Sequence, residues 1–263
     1  MKSFECLNVK RFFNKNLGDF QRCAAFTLAE VLITLGIIGI VANMTIPTLM
    51  ANIQKDQYVA ALKKEYSVFN QVLKQMAADS GCPDDLKCVN GFTVGGSIES
   101  KNIALGNEVV TYLKIAKNCG TPAGNNCFPE YTGFNYDKDS VFYTGYNMNN
   151  VSDMYRFTTI NGVSYLLERN DYNFTALTPT GSLSQVCGKL EIDVNGHKPP
   201  NRYGRDTFRF YITNGKGAAL YPYGGKEYEL IWWDGSTKLC NPTNTVGFYC
   251  AGRVIEEGWE MNY

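Results

Sequence analysis

One histidine, no net charge and no catalytic signature motif narrow what this 263-residue chain can be. Lys and Arg together number 25, matched by 25 Asp and Glu, which removes the electrostatic footprint on which nucleic-acid binding depends. The sole histidine, His197, stands in the turn Gly-His-Lys-Pro-Pro, and there is no Gly-x-Ser-x-Gly nucleophile motif. A Ser-His-Asp or Cys-His site has little to build on. Gly162, Gly181 and Gly215 occur singly in turn-like contexts, and no phosphate-cradling glycine loop precedes a helix. Neither a Cys-x-x-Cys pair nor a second histidine is present, which argues against zinc. Glu168 and Asp171 sit at strand or turn ends, where solvated charge is the ordinary reading. Internal repeats and low-complexity linkers are also missing.

The most telling lack is of charge between Val31 and Gln54. The apolar run Val31–Ala51 is long enough to cross a bilayer as a helix. It is too long for a secretory h-region, and no small-residue cleavage site ends it. One carboxylate, Glu30, stands at its edge. Taking an ionised group into a membrane helix costs roughly 2.5–3.5 kcal/mol, and no cation within the run can pair with it. Pro47 lies inside the run and deprives the Asn43 carbonyl of its helical donor, so a kink or local loosening is expected there.

Charge is unevenly placed despite the zero sum. Residues 1–25 carry Lys2, Lys10, Arg11, Lys15 and Arg22 against Glu5 and Asp19, a balance of +3, leaving −3 for the rest. A basic flank before an apolar span places the flank in the cytoplasm and the remainder across the membrane. Cysteine usage agrees with that topology. Seven of the nine cysteines follow the span. The short separations Cys82 to Cys88, Cys119 to Cys127 and Cys240 to Cys250 resemble local staples of an oxidising compartment. Cys187 is then left over, and it could replace either partner in any of these pairs.

Beyond the span a helical pattern continues into water. Val59, Leu62, Tyr66, Phe69, Leu73 and Met76 alternate at three- and four-residue steps, a stripe on one face, with Lys63, Lys64, Glu65 and Lys74 off it. Ser80-Gly81-Cys82-Pro83 is a stop signal. A helix from about Phe26 to Asp79 would be about 80 Å long. From residue 81 the composition turns loop-rich and β-forming. A short helix is expected at Asn107–Lys117. A hairpin is expected where Met154–Ile160 and Val163–Glu168 flank Asn161-Gly162. Further strands are expected at Ser140–Tyr146, Leu190–Val194, Thr207–Thr213 and Glu229–Trp233. Tyr221, Tyr223, Tyr228, Trp232, Trp233, Phe248, Tyr249, Trp259 and Tyr263 crowd the end of the sequence, either as core or as an aromatic contact patch. The expected class is α+β. The organisation is a leader over 1–25, a long N-terminal helix over 26–80 packed on an antiparallel sheet, and a disulfide-stapled head over 81–263.

Phe26-Thr-Leu-Ala-Glu30-Val-Leu-Ile resembles the processing and methylation motif of type IV pilins and type II secretion pseudopilins. Gly39 and Pro47 stand at the family's distances from Phe26. The resemblance covers about 30 residues tightly. It implies that a prepilin peptidase cuts between Ala25 and Phe26 and methylates the new Phe26 amine. Glu30 would then pair with the Phe26 amine of a neighbouring subunit. Ala25 departs from the family pattern, which has glycine before the cut. The implied role is a non-enzymatic filament subunit in the cytoplasmic (inner) membrane, single-pass, with its head in the periplasm or at the cell surface. Implied partners are other pilin or pseudopilin subunits, the prepilin peptidase, a membrane assembly platform and membrane lipid, with no nucleic acid. The alternative is a signal-anchored exported binding protein or enzyme that does not polymerise.

A second resemblance lies in Glu191–Phe210, which is similar to an Asp-Val-Asn-Gly, Pro-Asn, Gly-x-Asp-x-Phe segment of some pseudopilin heads. Asp193, Asn195 and Asp206 could offer oxygens to Ca²⁺. The competing reading is an Asx-rich turn that caps its own amides.

Overall fold

The computed structural model describes residues 26–122, 124, 126–129, 153–169, 173–226, 240 and 247–263. Ala25, the rest of the leader, Asp171, Tyr228, Trp232, Trp233 and the strands expected at Ser140–Tyr146 and Glu229–Trp233 lie outside them. The chain divides into two units, Met1–Asn52 and Ile53–Tyr263.

Helix α1, Leu28–Asp79, contributes to both units and keeps its helical assignment through Pro47. In the first unit its apolar side chains are exposed all round, among them Leu32, Ile33, Ile38, Ile40 and Leu49. In the second unit α1 becomes one-sided. Val59, Leu62, Phe69, Leu73 and Met76 are buried as the stripe requires, and Tyr66 is half-buried against the same core. The stop also forms. Gly81 adopts φ +81°, Cys82 N donates to the Ala77 carbonyl (3.0 Å) and Gly81 N to that of Ala78 (3.0 Å), the paired bonds of a Schellman end.

Glu65 corrects the sequence reading. It was expected off the stripe, yet its side chain is only 5% exposed. The Tyr165 hydroxyl donates to Oε2 at 2.5 Å and Lys64 Nζ lies 3.0 Å from Oε1, so the buried charge has both a donor and a cation.

After α1 come a four-residue helix α2, Asn90–Thr93, and α3, Ile98–Val109. The expected helix at Asn107–Lys117 is displaced. Ser97 caps α3 by accepting from Ser100 N (3.2 Å), which starts the helix nine residues earlier. Ile115–Gly120 is a strand instead.

The six described strands form one antiparallel meander in sequence order. They are β1 Ile115–Gly120, β2 Tyr155–Thr159, β3 Ser164–Glu168, β4 Val186–Asp193, β5 Thr207–Thr213 and β6 Ala219–Pro222. The β2–β3 hairpin forms, but not through the type I′ turn that Asn161-Gly162 suggests. Gly162 takes φ +80° while Asn161 does not turn positive, and Gly162 N donates to the Thr159 carbonyl (2.9 Å), the pattern of a three-residue loop closed by a left-handed glycine. Strand β4 starts four residues earlier than expected, pairing Val186 with Thr213.

Alternation sorts the sheet into two faces. Tyr165, Leu167, Leu190, Ile192, Phe208 and Phe210 join the core that includes α1's stripe, with Phe69 and Tyr165 rings 5.9 Å apart. Each such fully buried side chain is worth about 1.5–3 kcal/mol. The short edge strand β6 is blunted by α1. Asn70 Oδ1 accepts from Leu220 N (2.9 Å), and the Tyr66 hydroxyl donates to the Leu220 carbonyl (3.3 Å), which occupies an otherwise open edge. A last helix, α4 Cys250–Glu256, precedes the final segment.

The bonded cysteine pairs are Cys82–Cys88, Cys119–Cys127 and Cys240–Cys250, with Cys187 a buried free thiol.

Candidate functional site

The first unit presents the resemblance motif on the opening turn of α1. Phe26 is 80% exposed. Thr27 caps the helix, its hydroxyl oxygen accepting from Glu30 N (3.2 Å). In return Thr27 N and the Thr27 hydroxyl both donate to Glu30 Oε2, at 2.8 and 2.9 Å. Thr27-x-x-Glu30 is thus a capping box. Glu30 is thus served by two uncharged donors of its own segment, which the expectation of a cationic partner left out. Both reach the same oxygen, and Oε1 accepts no hydrogen bond among the described residues.

The threonines of the apolar run satisfy their hydroxyls within the helix. The hydroxyls of Thr34, Thr45 and Thr48 donate to the carbonyls of Val31, Val41 and Thr45 at 2.9–3.0 Å, leaving none to seek water. A Cβ placed at Gly36 or Gly39 would meet nothing within 4 Å. Among the described residues, α1 is long and apolar enough to cross a membrane.

In the second unit, Asp193, Asn195 and Asp206 do come together around the turn that joins β4 to β5. Asp193 Oδ1 accepts from Asn195 N (3.2 Å) and Oδ2 from the Thr207 hydroxyl (2.9 Å). Asp206 accepts from Asn201 N (2.8 Å) and Arg202 N (2.6 Å). Asn195 Nδ2 donates to the Lys198 carbonyl (3.0 Å), while its buried Oδ1 accepts no hydrogen bond. Every carboxylate oxygen of this turn already serves a protein donor. Among the described residues no group of three His, Cys, Asp or Glu side chains is placed to hold a metal. These bonds are those of an Asx turn that caps its own amides.

The sheet face away from α1 holds a cluster that sequence reasoning missed. Register places Arg156, Leu166, Glu191 and Arg209 side by side across β2–β5. Arg209 and the Tyr203 hydroxyl both donate to the buried Glu191 carboxylate. The Arg209 guanidinium also lies over the Phe248 ring, 4.0 Å from its centroid. Arg156 is fully buried and donates to the Met154 carbonyl at 2.7 Å. Alternating charge at Glu191 and Arg209, either side of a strand turn, was the available signal. Sequence alone could not say that both would be covered. His197 is exposed, with Nε2 3.2 Å from Asn126 Oδ1.

Of the aromatics near the end of the sequence, Tyr263 is buried, whereas Tyr221, Tyr223, Phe248, Tyr249 and Trp259 are partly buried. They pack in stacked and edge contacts such as Tyr211–Tyr223 and Tyr66–Trp259.

No family model matches the chain, and neither a curated protein nor a solved structure matches it.

Proposed function

We propose that this protein is a structural subunit of a type IV pilus-like or type II secretion pseudopilus filament. It is held in the cytoplasmic membrane by Val31–Ala51, cut before Phe26, and assembled through the N-terminal part of α1. The observation that carries the reading is the state of Glu30. Its Oε2 is taken by Thr27, while among the described residues its Oε1 accepts no hydrogen bond, at the mouth of an exposed uncharged helix. A cation from another molecule can reach that oxygen without breaking the capping box. The Phe26 amine of a neighbouring subunit is such a cation, and a charge-assisted bond in low dielectric is strong and directional.

Open backbone at Gly36 and Gly39 supports the same reading. Small residues let helices approach closely where no hydrophobic drive from water exists. The head then supplies solubility and contacts, held to α1 by the Phe69, Leu73 and Glu65 packing. Head-to-tail association of this kind does not close, so an open fibre is its product.

Glu30→Ala, compared with the unchanged chain in sheared extracellular and membrane fractions, tests assembly. The reading expects loss of polymer with the membrane-bound monomer retained. Undiminished polymer contradicts it. Recovery of the unchanged polymer from the sheared fraction marks a surface pilus, and retention in the cell envelope marks a secretion pseudopilus.

A further inference from the structure

The end of the second unit at which α1 enters is built from three pieces of chain. Lys55 Nζ donates to the main-chain oxygen of Tyr263 at 2.5 Å. The Tyr263 hydroxyl donates to the Gly204 carbonyl at 2.7 Å. Gly204 belongs to the turn between β4 and β5, residues 194–206. Tyr58, one turn of α1 beyond Lys55, is within electrostatic reach of Arg205, Asp206 and Asp193. The turn therefore sits level with residues 55–58 of α1. At 1.5 Å per residue, Tyr58 is only about 6 Å beyond Gln54, the last residue of the uncharged run.

The outward chemistry of this turn is basic. His197, Lys198 and Pro199 are exposed, and Lys55, Arg202 and Arg205 are half-exposed. The carboxylates of Asp206 and of Asp193, which ends β4, are buried and directed inward onto Thr207, Asn195, Asn201 and Arg202. The exposed acids on the adjoining segments are Asp56, Glu256, Glu257 and Glu260, of which Glu256 accepts from Lys226 N and Glu257 pairs with Arg253.

We propose that the 194–206 turn, together with Lys55, is a contact surface for the phosphate headgroups of anionic phospholipid. This rests on the membrane-anchored reading above. Lys and Arg this close to a bilayer are drawn to anionic lipid, and their aliphatic stems suit the interface. Arg adds a planar fork that matches phosphate. The half-buried Tyr58 stands at the same level, where amphipathic rings settle. The contact would hold the head at the bilayer before assembly and would be given up when the subunit leaves the membrane.

The test uses the full chain reconstituted into phosphatidylglycerol-containing vesicles, phosphatidylcholine vesicles and detergent. Lysine acetylation rates are read by peptide mass spectrometry, with Lys87 and Lys216 as references, and vesicle flotation reports anchoring. The expected result is Lys198 acetylation roughly fivefold slower in phosphatidylglycerol vesicles than in detergent. Protection should be lost in phosphatidylcholine, in high salt and in the Arg202→Gln/Arg205→Gln variant. Equal Lys198 rates in all three environments, or equal protection in both vesicle types, overturn the proposal while flotation leaves the anchor standing. Failure to float overturns the anchor reading itself.

Discussion

The Tyr165 hydroxyl reaches across from β3 to donate a 2.5 Å hydrogen bond to Glu65 on the buried face of α1. Burial and the neighbouring Glu65 charge together hold the Tyr165 phenol well above its ordinary range, so it stays a donor at any physiological pH. This pair fixes the helix to one register on the sheet, because sliding by one turn would leave a carboxylate among apolar rings.

Removing both partners should therefore cost less than the two single losses added together. Tyr165→Phe is expected to lower unfolding stability by about 1–3 kcal/mol, as is Glu65→Met. Glu65→Met with Tyr165→Phe should lose less than the sum of the single changes. Urea titration of the four proteins measures this, and strict additivity would show the pair to be uncoupled.

Arg209 and Glu191 predict a steeper version of the same asymmetry. Arg209→Met removes the ion-pair partner of the buried Glu191 carboxylate and leaves it the Tyr203 hydroxyl bond, at a cost of about 3–5 kcal/mol. Adding Glu191→Met should recover much of that loss. Thermal unfolding of the single and double variants reports the outcome, and a double variant weaker than Arg209→Met would contradict the assignment.

Two aspartates should respond to pH in opposite senses. Burial raises the Asp206 carboxyl above its ordinary 3.8, despite the amide donors of Arg202 and Asn201. Its contribution to stability is thus fullest below 3.8 and is lost as pH climbs through the raised folded value. The Lys87 amide and the Asn214 side chain depress the Asp85 carboxyl. Its contribution is present above 3.8 and is lost as pH falls through the lowered folded value. Solvent screens Asp85, so its effect is the smaller. Unfolding profiles of Asp206→Asn and Asp85→Asn, each subtracted from the unchanged protein, should slope oppositely in acid. Slopes of the same sign would refute the assignment.

The Cys187 thiol is pushed far up by burial, and its Sγ packs 3.3 Å from the Ile212 carbonyl. Iodoacetamide applied without reductant should leave Cys187 unmodified in the native protein and alkylate it in guanidinium. Mass spectrometry of the Cys187 peptide reads this directly. Native modification would mean that the strand core opens far more readily than its packing implies.

Legibility in the sequence followed the range of the forces involved. The α1 stripe, its Gly81 end and the Asn161-Gly162 hairpin are set by neighbours in sequence, and their residues could be named in advance. The β4–β5 strands followed from alternation, with only the bulged start of β4 at Val186 escaping. Glu65 escaped because its partner is 100 residues away, and periodicity treats a carboxylate as surface. The Asn107–Lys117 helix went wrong because the Ser97 cap, a single hydroxyl, outweighed the later apolar pattern. The capping box at Thr27 and Glu30 is readable from its four-residue signature, although the same glutamate at the edge of an uncharged run also calls for a cation.

The central claim is that Phe26 becomes a free, methylated N-terminus placed to meet Glu30 of another copy. N-terminal sequencing and intact mass of the protein taken from its native membranes test this most directly. The account predicts a chain that begins with N-methyl-phenylalanine at Phe26, with residues 1–25 gone. A chain that retains its leader beside an otherwise intact membrane-bound head would contradict it.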